Sequence, residues 1–172
     1  MGSILETSRL VLREAVADDA AFLLELMNEP AYHANIGDRG VRTVEDARSY
    51  LAAKYSTSYR TLGYGLYVVE LKREAVVIGI CGFVKRETLE HADVGFAFLT
   101  RFCGQGYGYE SASAVLGYGQ AKLGFAKVYG VTSRTNEASI RLLEKLGFRF
   151  NRETAMPGYA EASLLFARTF GT

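Results

Sequence analysis

The sequence predicts an α/β fold in which seven strands alternate with four helices, and three observations predict it. Runs that alternate polar and apolar residues, such as Arg9-Leu10-Val11-Leu12-Arg13, recur between runs whose apolar residues fall at helical spacing. Two strand-like runs joined by a polar turn lead into a third, which is the pattern of an antiparallel meander. The last third of the chain then alternates helix and strand, with a glycine-rich turn before its first helix and a glycine stop after its second.

Taken in order, Arg9 to Ala15 reads as a strand with one buried face. Asp18 and Asp19 suit the start of a helix from Ala20 to Asn28, whose Phe22, Leu23, Leu26 and Met27 form an apolar stripe. Asn28-Glu29-Pro30 ends that helix, and the polar stretch Tyr32 to Gly40, with two glycines, is expected to be a loop. Thr43-Val44-Glu45-Asp46 is a capping signal for a second helix through about Tyr55. Gly63 to Leu71 and Val76 to Lys85 form a hairpin, and Ala92 to Leu99 adds the next strand. There follow a helix from near Gly106 to about Leu123, a strand Lys127 to Thr132, a helix opening at Asn136, and strands at Phe148 to Arg152 and Ala162 to Thr169.

A chain of 172 residues suits a single domain, residues 1–172, with a sizeable core. The net charge of +1 offers no general attraction to nucleic acid or to acidic membranes, so recognition must come from a local site. Apolar stretches such as Val76 to Val84 are too short to span a bilayer. Glu6 and Arg9 stand where a signal peptide would have its apolar core, so the expected location is the cytoplasm. Cys81 and Cys103 are far apart and His33 and His91 are the only histidines, so neither a Cys-x-x-Cys motif nor a histidine-rich metal site is expected.

The stretch Cys103-Gly104-Gln105-Gly106-Tyr107-Gly108-Tyr109-Glu110 reads as an anion cradle. Glycines clear side chains from a turn, so successive N–H groups converge, and the helix that follows adds its unpaired first-turn donors and dipole. A pyrophosphate fits such a site, although a glycine-rich connection that binds nothing has the same appearance. A Walker loop would need Lys-Ser or Lys-Thr after its last glycine, whereas Gly108 is followed by Tyr109-Glu110. A dinucleotide fold would need an early glycine turn and an acidic residue about 20 residues on, and neither is present.

A second motif runs from Asn136 to Phe148: Asn136-Glu137-Ala138-Ser139, then Glu144-Lys145-Leu146-Gly147-Phe148. Together with Gly95-Phe96-Ala97-Phe98-Leu99 and the cradle, it resembles the GNAT N-acetyltransferases, and within them the RimJ/RimL-like branch, over roughly residues 92–150. The resemblance implies a mixed central sheet of about seven strands with helices on both faces. It implies an enzyme that takes acetyl-CoA as co-substrate, needs no metal, and transfers acetyl to a primary amine in a ternary complex. The implied acceptor is a protein or peptide N-terminal α-amino group, with a small amine (polyamine, amino sugar or antibiotic) as the alternative. A coenzyme-A-binding sensor that has lost turnover is the alternative from another class. A monomer or a homodimer is compatible with the family.

The same resemblance assigns residues. The strand ending at Leu99 is expected to splay from Lys127–Thr132, with Gly95 marking a bulge, and the N–H of Phe98 or Leu99 to polarise the thioester carbonyl. The cradle pattern falls on Cys103, Gly106 and Gly108, with Gly104, Gln105 and Tyr107 between them, or one slip earlier on Arg101, Gly104 and Gly106. Arg101 is either a phosphate ligand or a solvated turn residue, and Asn136 either a coenzyme ligand or a helix cap. Many relatives carry a tyrosine that protonates the leaving thiolate, but its position here is Leu143. A serine at the Asn-x-x-Ser position resembles the RimJ/RimL-like branch, which makes Ser139 the candidate proton donor or hydrogen-bond partner of the sulfur, or else a residue that only caps the helix. Asp93 is the candidate base, with Glu87, Glu90 and His91 beside it. An α-amino acceptor needs a base less than lysine does, because a ~2.5-unit lower pKa is worth ~3.4 kcal/mol of deprotonation. Acceptor recognition is expected from Tyr32, His33, Asn35 and the loop Met156 to Tyr159. No acidic loop of the kind a polyamine would need is apparent.

Overall fold

The computed structural model describes residues 2–171. The chain opens with two short strands, β1 (Leu5–Glu6) and β2 (Leu10–Arg13), and a 3-10 turn at Ala17–Asp19 that runs into α1 (Ala20–Met27). Strand β1 was not expected, since two residues are too few to show an alternation, and it raises the strand number to eight.

Two corrections concern the helices. The stretch expected as a loop begins with α2 (Pro30–Asn35), because Pro30 occupies a first-turn position, where its fixed φ and missing N–H suit a helix start as well as they suit the end of the preceding one. The helix from Thr43 does not end at Tyr55. It runs as α3 (Val44–Tyr50), a π-helical segment (Leu51–Ser56) and α4 (Thr57–Leu62), and stops at Gly63, whose φ of 77° only glycine adopts readily. Thr43 caps α3 as expected, accepting from Asp46 N–H at 3.0 Å while Asp46 returns the bond to Thr43 N–H at 3.1 Å.

The chain continues with β3 (Leu66–Leu71), β4 (Val76–Val84), β5 (Asp93–Phe98), a 3-10 turn at Thr100–Phe102, α5 (Tyr107–Ala121), β6 (Lys127–Thr132), α6 (Glu137–Lys145), β7 (Arg149–Thr154) and β8 (Ser163–Thr169). All eight strands join one sheet in the order β1-β2-β3-β4-β5-β6-β8-β7. Its pairings are antiparallel except β5 with β6, which is parallel, so the sheet is mixed. The β4–β5 register passes unbroken through Gly82↔Gly95, so Gly95 is not a bulge. A Cβ at Gly95 would instead meet Leu66 Cδ2 at 3.1 Å, which ties the glycine to close packing across the sheet.

Both faces are covered. Helices α5 and α6 press Ala112, Val115, Leu116, Leu143 and Leu146 onto Cys81, Phe83, Val94 and Val128 on one side. On the other, α1, α3 and the π-helical segment bring Leu23, Leu26, Ala47, Leu51 and Tyr55 against Val68 and Ile80. Each fully buried leucine among these contributes roughly 1.5–3 kcal/mol over its exposed state, so burial holds both helical layers to the sheet. No helix among the described residues is long and apolar enough to cross a membrane.

Candidate active site

Strands β5 and β6 touch at one register position, Asp93↔Tyr129, where the N–H of Tyr129 donates to the Ala92 carbonyl at 2.9 Å. Beyond it they diverge and leave a wedge. Leu99 N–H is bonded to Ile78 O at 3.0 Å, so it is taken by β4. Groups on an antiparallel strand alternate between its two neighbours, which turns the main-chain groups of Phe96 and Phe98 away from β4 and toward the wedge. Of the two N–H groups expected to act as donors, only that of Phe98 faces the wedge. A cavity of about 810 Å³ passes through the wedge, lined by Gly104, Tyr107, Gly108, Asn136 and Ser139 at one end and by residues of α2 and the π-helical segment at the other.

At the first end lies the glycine turn. Gly104 and Gly106 have φ of 76° and 85°, and Gly106 is the residue from which α5 starts, so the register on Cys103, Gly106 and Gly108 coincides with the helix start. Gly108 sits in the first turn of α5, where a Cβ would come within 3.3 Å of Leu142 of α6. The turn is held from a distance by Arg9, which sequence reasoning missed. Arg9 Nη1 donates to Gln105 O at 3.1 Å, its Nε meets Glu110 at 2.7 Å, and its guanidinium lies 4.4 Å over the Tyr107 ring. Thr7 Oγ1 also donates to Glu110, at 2.6 Å. Arg101 points elsewhere: it pairs with Glu25 of α1 and lies over Phe102, off the cavity lining. Gln105 is exposed, its Nε2 3.4 Å from Arg101 O. The Cys103 thiol lines the cavity, and burial, with the nearby Glu29 carboxylate, pushes its pKa up, so the thiolate is disfavoured.

Helix α6 separates two roles that sequence could not. Asn136 Oδ1 accepts from Ser139 N–H at 3.2 Å, so Asn136 is the cap. The Ser139 hydroxyl has no hydrogen-bond partner among the described residues and lines the cavity. Leu143, at the position of the missing tyrosine, is buried in the core, and a Cβ on Gly130 would sit 2.6 Å from its Cδ2. One further residue escaped the sequence reading. Thr132, at the end of β6, is 6% exposed and lines the same cavity, yet its hydroxyl has no hydrogen-bond partner among the described residues. A buried hydroxyl left without a protein partner at a cavity wall is placed to bond whatever fills the cavity.

Asp93 lies at the apex of the wedge, 1% exposed, its Oδ1 3.0 Å from Arg86 Nε. Burial raises its pKa to about 6, and the Arg86 charge offsets only part of the shift. Glu87, Glu90 and His91 do not line the cavity. Tyr32 and Asn35 of α2 and Tyr159 of the β7–β8 loop do, and Tyr159 ties the two elements together by donating to Ile36 O at 2.8 Å. Burial raises the Tyr32 pKa to about 12, so its phenol stays a donor. His33 is not in the lining and turns toward Asp38, with 3.9 Å between Nε2 and Oδ1. Glu29, which marked only a helix end in the sequence, accepts from Thr100 N–H at 2.9 Å and Thr100 Oγ1 at 2.8 Å and so fixes the start of α2 to the end of β5.

Comparison with known proteins follows the same lines. The acetyltransferase (GNAT) domain model matches residues 9–149. The chain is 30% identical over 153 residues to YoaA, an uncharacterized N-acetyltransferase of Bacillus subtilis (strain 168), covering 87% of this chain and 84% of YoaA. A putative GnaT-family acetyltransferase from Bordetella pertussis superposes with a TM-score of 0.79 at 26% identity, over 96% of this chain and 98% of that one. A RimL ribosomal L7/L12 alpha-N-protein acetyltransferase in complex with coenzyme A shares the fold, with a TM-score of 0.84 at 19% identity over 98% of each chain.

Proposed function

The chain belongs to the GNAT acetyltransferase domain family, and on that premise we propose that it moves an acetyl group from acetyl-CoA to a primary amine, with an α-amino group as its preferred acceptor. The observation that carries the proposal is the wedge: one parallel contact at Asp93↔Tyr129, then a continuous cavity between β5 and β6 that opens toward a helix N-terminus at one end and toward α2 at the other. Two reactants can enter such a passage from opposite ends and meet without a covalent enzyme intermediate. The disfavoured Cys103 thiolate agrees with direct transfer.

In this reading the glycine turn and the N–H groups of α5 bind the pyrophosphate, with Arg9 holding the Gln105 carbonyl and so the shape of the turn. Wedge-facing groups of Phe96 and Phe98 hold the pantetheine, helped by Thr132 Oγ1 and the unshared Nδ2 of Asn136. The amine nitrogen attacks the thioester carbonyl carbon, the C–N bond forms and the C–S bond breaks. The Phe98 N–H stabilises the developing oxyanion. The proton lost by nitrogen balances the one gained by sulfur: Asp93, with its pKa near 6, accepts on the acceptor side, and Ser139 passes a proton to the thiolate as its hydroxyl regains one from solvent in the cavity. Tyr32, Asn35 and Tyr159 contact the acceptor. Two unpaired cysteines support a reducing, cytoplasmic setting.

The test is acetyl-CoA-dependent release of free thiol, run against a pool of N-terminal peptides and a pool of small amines, with no-acceptor controls. Turnover above the controls is expected, with the peptide pool preferred. Silence on both pools, with acetyl-CoA binding demonstrated in the same samples, would leave a coenzyme-binding module and overturn the proposal.

A further inference from the structure

The charges along the cavity are unevenly placed. Every lysine and arginine in its lining, Arg39, Lys54, Lys85 and Arg86, belongs to the acceptor end, since Arg9 and Arg101 lie outside it. The only acids in the lining are Glu29 and Asp93, and both are occupied, by Thr100 and by Arg86. Arg39, from the segment after α2, and Lys54, from the π-helical segment, reach the same mouth from different parts of the chain, and neither has an acidic partner among the described residues. Lys85 donates to main-chain carbonyls of Arg86 and Leu89, so its charge is not neutralised either. In a chain of net charge +1 this is a local concentration of positive charge around a tyrosine-lined opening.

We infer that the acceptor is an amine that also carries an anion, a carboxylate or a phosphate, bound with its amine toward Asp93 and its anion toward Arg39 and Lys54. The inference rests on the acetyltransferase reading above. Two or more exposed cations at the mouth attract and orient an anion while repelling a second ammonium group, because Asp93 is already committed to the reacting amine and the other lining acid, Glu29, is bonded to Thr100. A polyamine therefore meets the wrong sign of charge. The anion could belong to the side chain of an acidic N-terminal peptide or to a small amino-acid-like or phosphorylated amine. What the mouth recognises is the same in both.

The experiment compares initial rates of acetyl-CoA-dependent thiol release on matched acceptors. One arm uses peptides beginning Ser-Glu, Ser-Gln and Ser-Lys, a second uses glutamate, glutamine and phosphoethanolamine beside ethanolamine, and a third uses spermidine. In at least one arm the anionic member should exceed its neutral partner by about tenfold or more in kcat/KM, with the ratio shrinking as salt is raised. The responding arm names the source of the anion. Arg39→Glu with Lys54→Glu should erase the ratio, and Arg39→Lys should retain it, with the thermal midpoint and acetyl-CoA affinity as checks on folding. Equal rates on anionic and neutral acceptors, a preference for spermidine, or a ratio untouched by the charge reversal would overturn the inference and leave the acetyltransferase reading standing. Silence on every acceptor with acetyl-CoA bound would overturn both.

Discussion

The N–H of Tyr129 donates to the carbonyl of Ala92 at 2.9 Å, and from that bond onward β5 and β6 run apart. Everything assigned to the active site depends on this divergence, because it leaves strand groups inside the fold without a neighbouring strand to pair with and facing the cavity. The wedge-facing Thr132 hydroxyl is one such group. Thr132→Val keeps its shape and removes the unsatisfied oxygen. The free protein should be unchanged or stabilised by up to about 1 kcal/mol, while acetyl-CoA affinity falls several-fold. A thermal melt and a titration check both, and unchanged affinity would remove Thr132 from the binding surface.

The glycine turn yields the next prediction. Gly106 has φ 85°, and a Cβ there would come within 3.2 Å of Arg9 Nη2. Gly106→Asp adds about 1–2 kcal/mol of backbone strain and sets a carboxylate where an anion is expected to bind. Acetyl-CoA binding should be abolished in a protein that still folds, whereas Gly106→Ala should show the strain alone. Equal binding by wild type and the aspartate variant would contradict the pyrophosphate assignment.

Ser139 and Asn136 are separable. Because the cap is the Asn136 side chain, Ser139→Ala should leave the thermal midpoint and acetyl-CoA affinity near wild type and lower kcat by about 100-fold or more. Asn136→Ala should cost about 1 kcal/mol of stability. A Ser139→Ala enzyme of full activity would deny the hydroxyl a part in proton transfer.

Asp93 ties activity to pH. As a base it works when ionised, so kcat/KM should rise through pH 6, separately from the later rise as the acceptor amine deprotonates, and Asp93→Asn should abolish the earlier rise and lower the plateau. The sign for stability is opposite. Burial raises the folded pKa to about 6 from an ordinary value of 3.8, so the folded state holds this proton more tightly than the unfolded chain does. That stabilisation is complete below about pH 4 and is lost as pH rises to about 6. Comparing melts of wild type and Asp93→Asn across this window checks it, and parallel curves would mean that Asp93 titrates normally.

Local backbone requirements made much of the site legible in the sequence. Gly104 and Gly106 sit at positive φ, and Asn136 caps a helix, because contiguous residues alone decide whether a turn can form and where a helix can start. The strand limits of β6 and the order of strands and helices from β3 to β8 were readable for the same reason. The α2 segment was not, since Pro30 is compatible with ending one helix and with starting another, and only the packing of Tyr32 into the core selects the second.

By itself, then, the sequence determined most of the local elements and their order, β1, α2 and the π-helical extension to α4 excepted, and the family they belong to. The tertiary structure alone decided which groups face the cavity. Whether Phe98 or Leu99 offers its N–H is a matter of register with β4, and Arg9 shapes the Gln105 turn from the far end of the chain. The burial of Asp93, the unpaired Thr132 hydroxyl and the convergence of Arg39 with Lys54 likewise depend on residues brought together by the sheet. Hydrogen-bond direction, burial and field at a point are set by what lies within a few ångströms, and in this fold those neighbours come from distant parts of the chain.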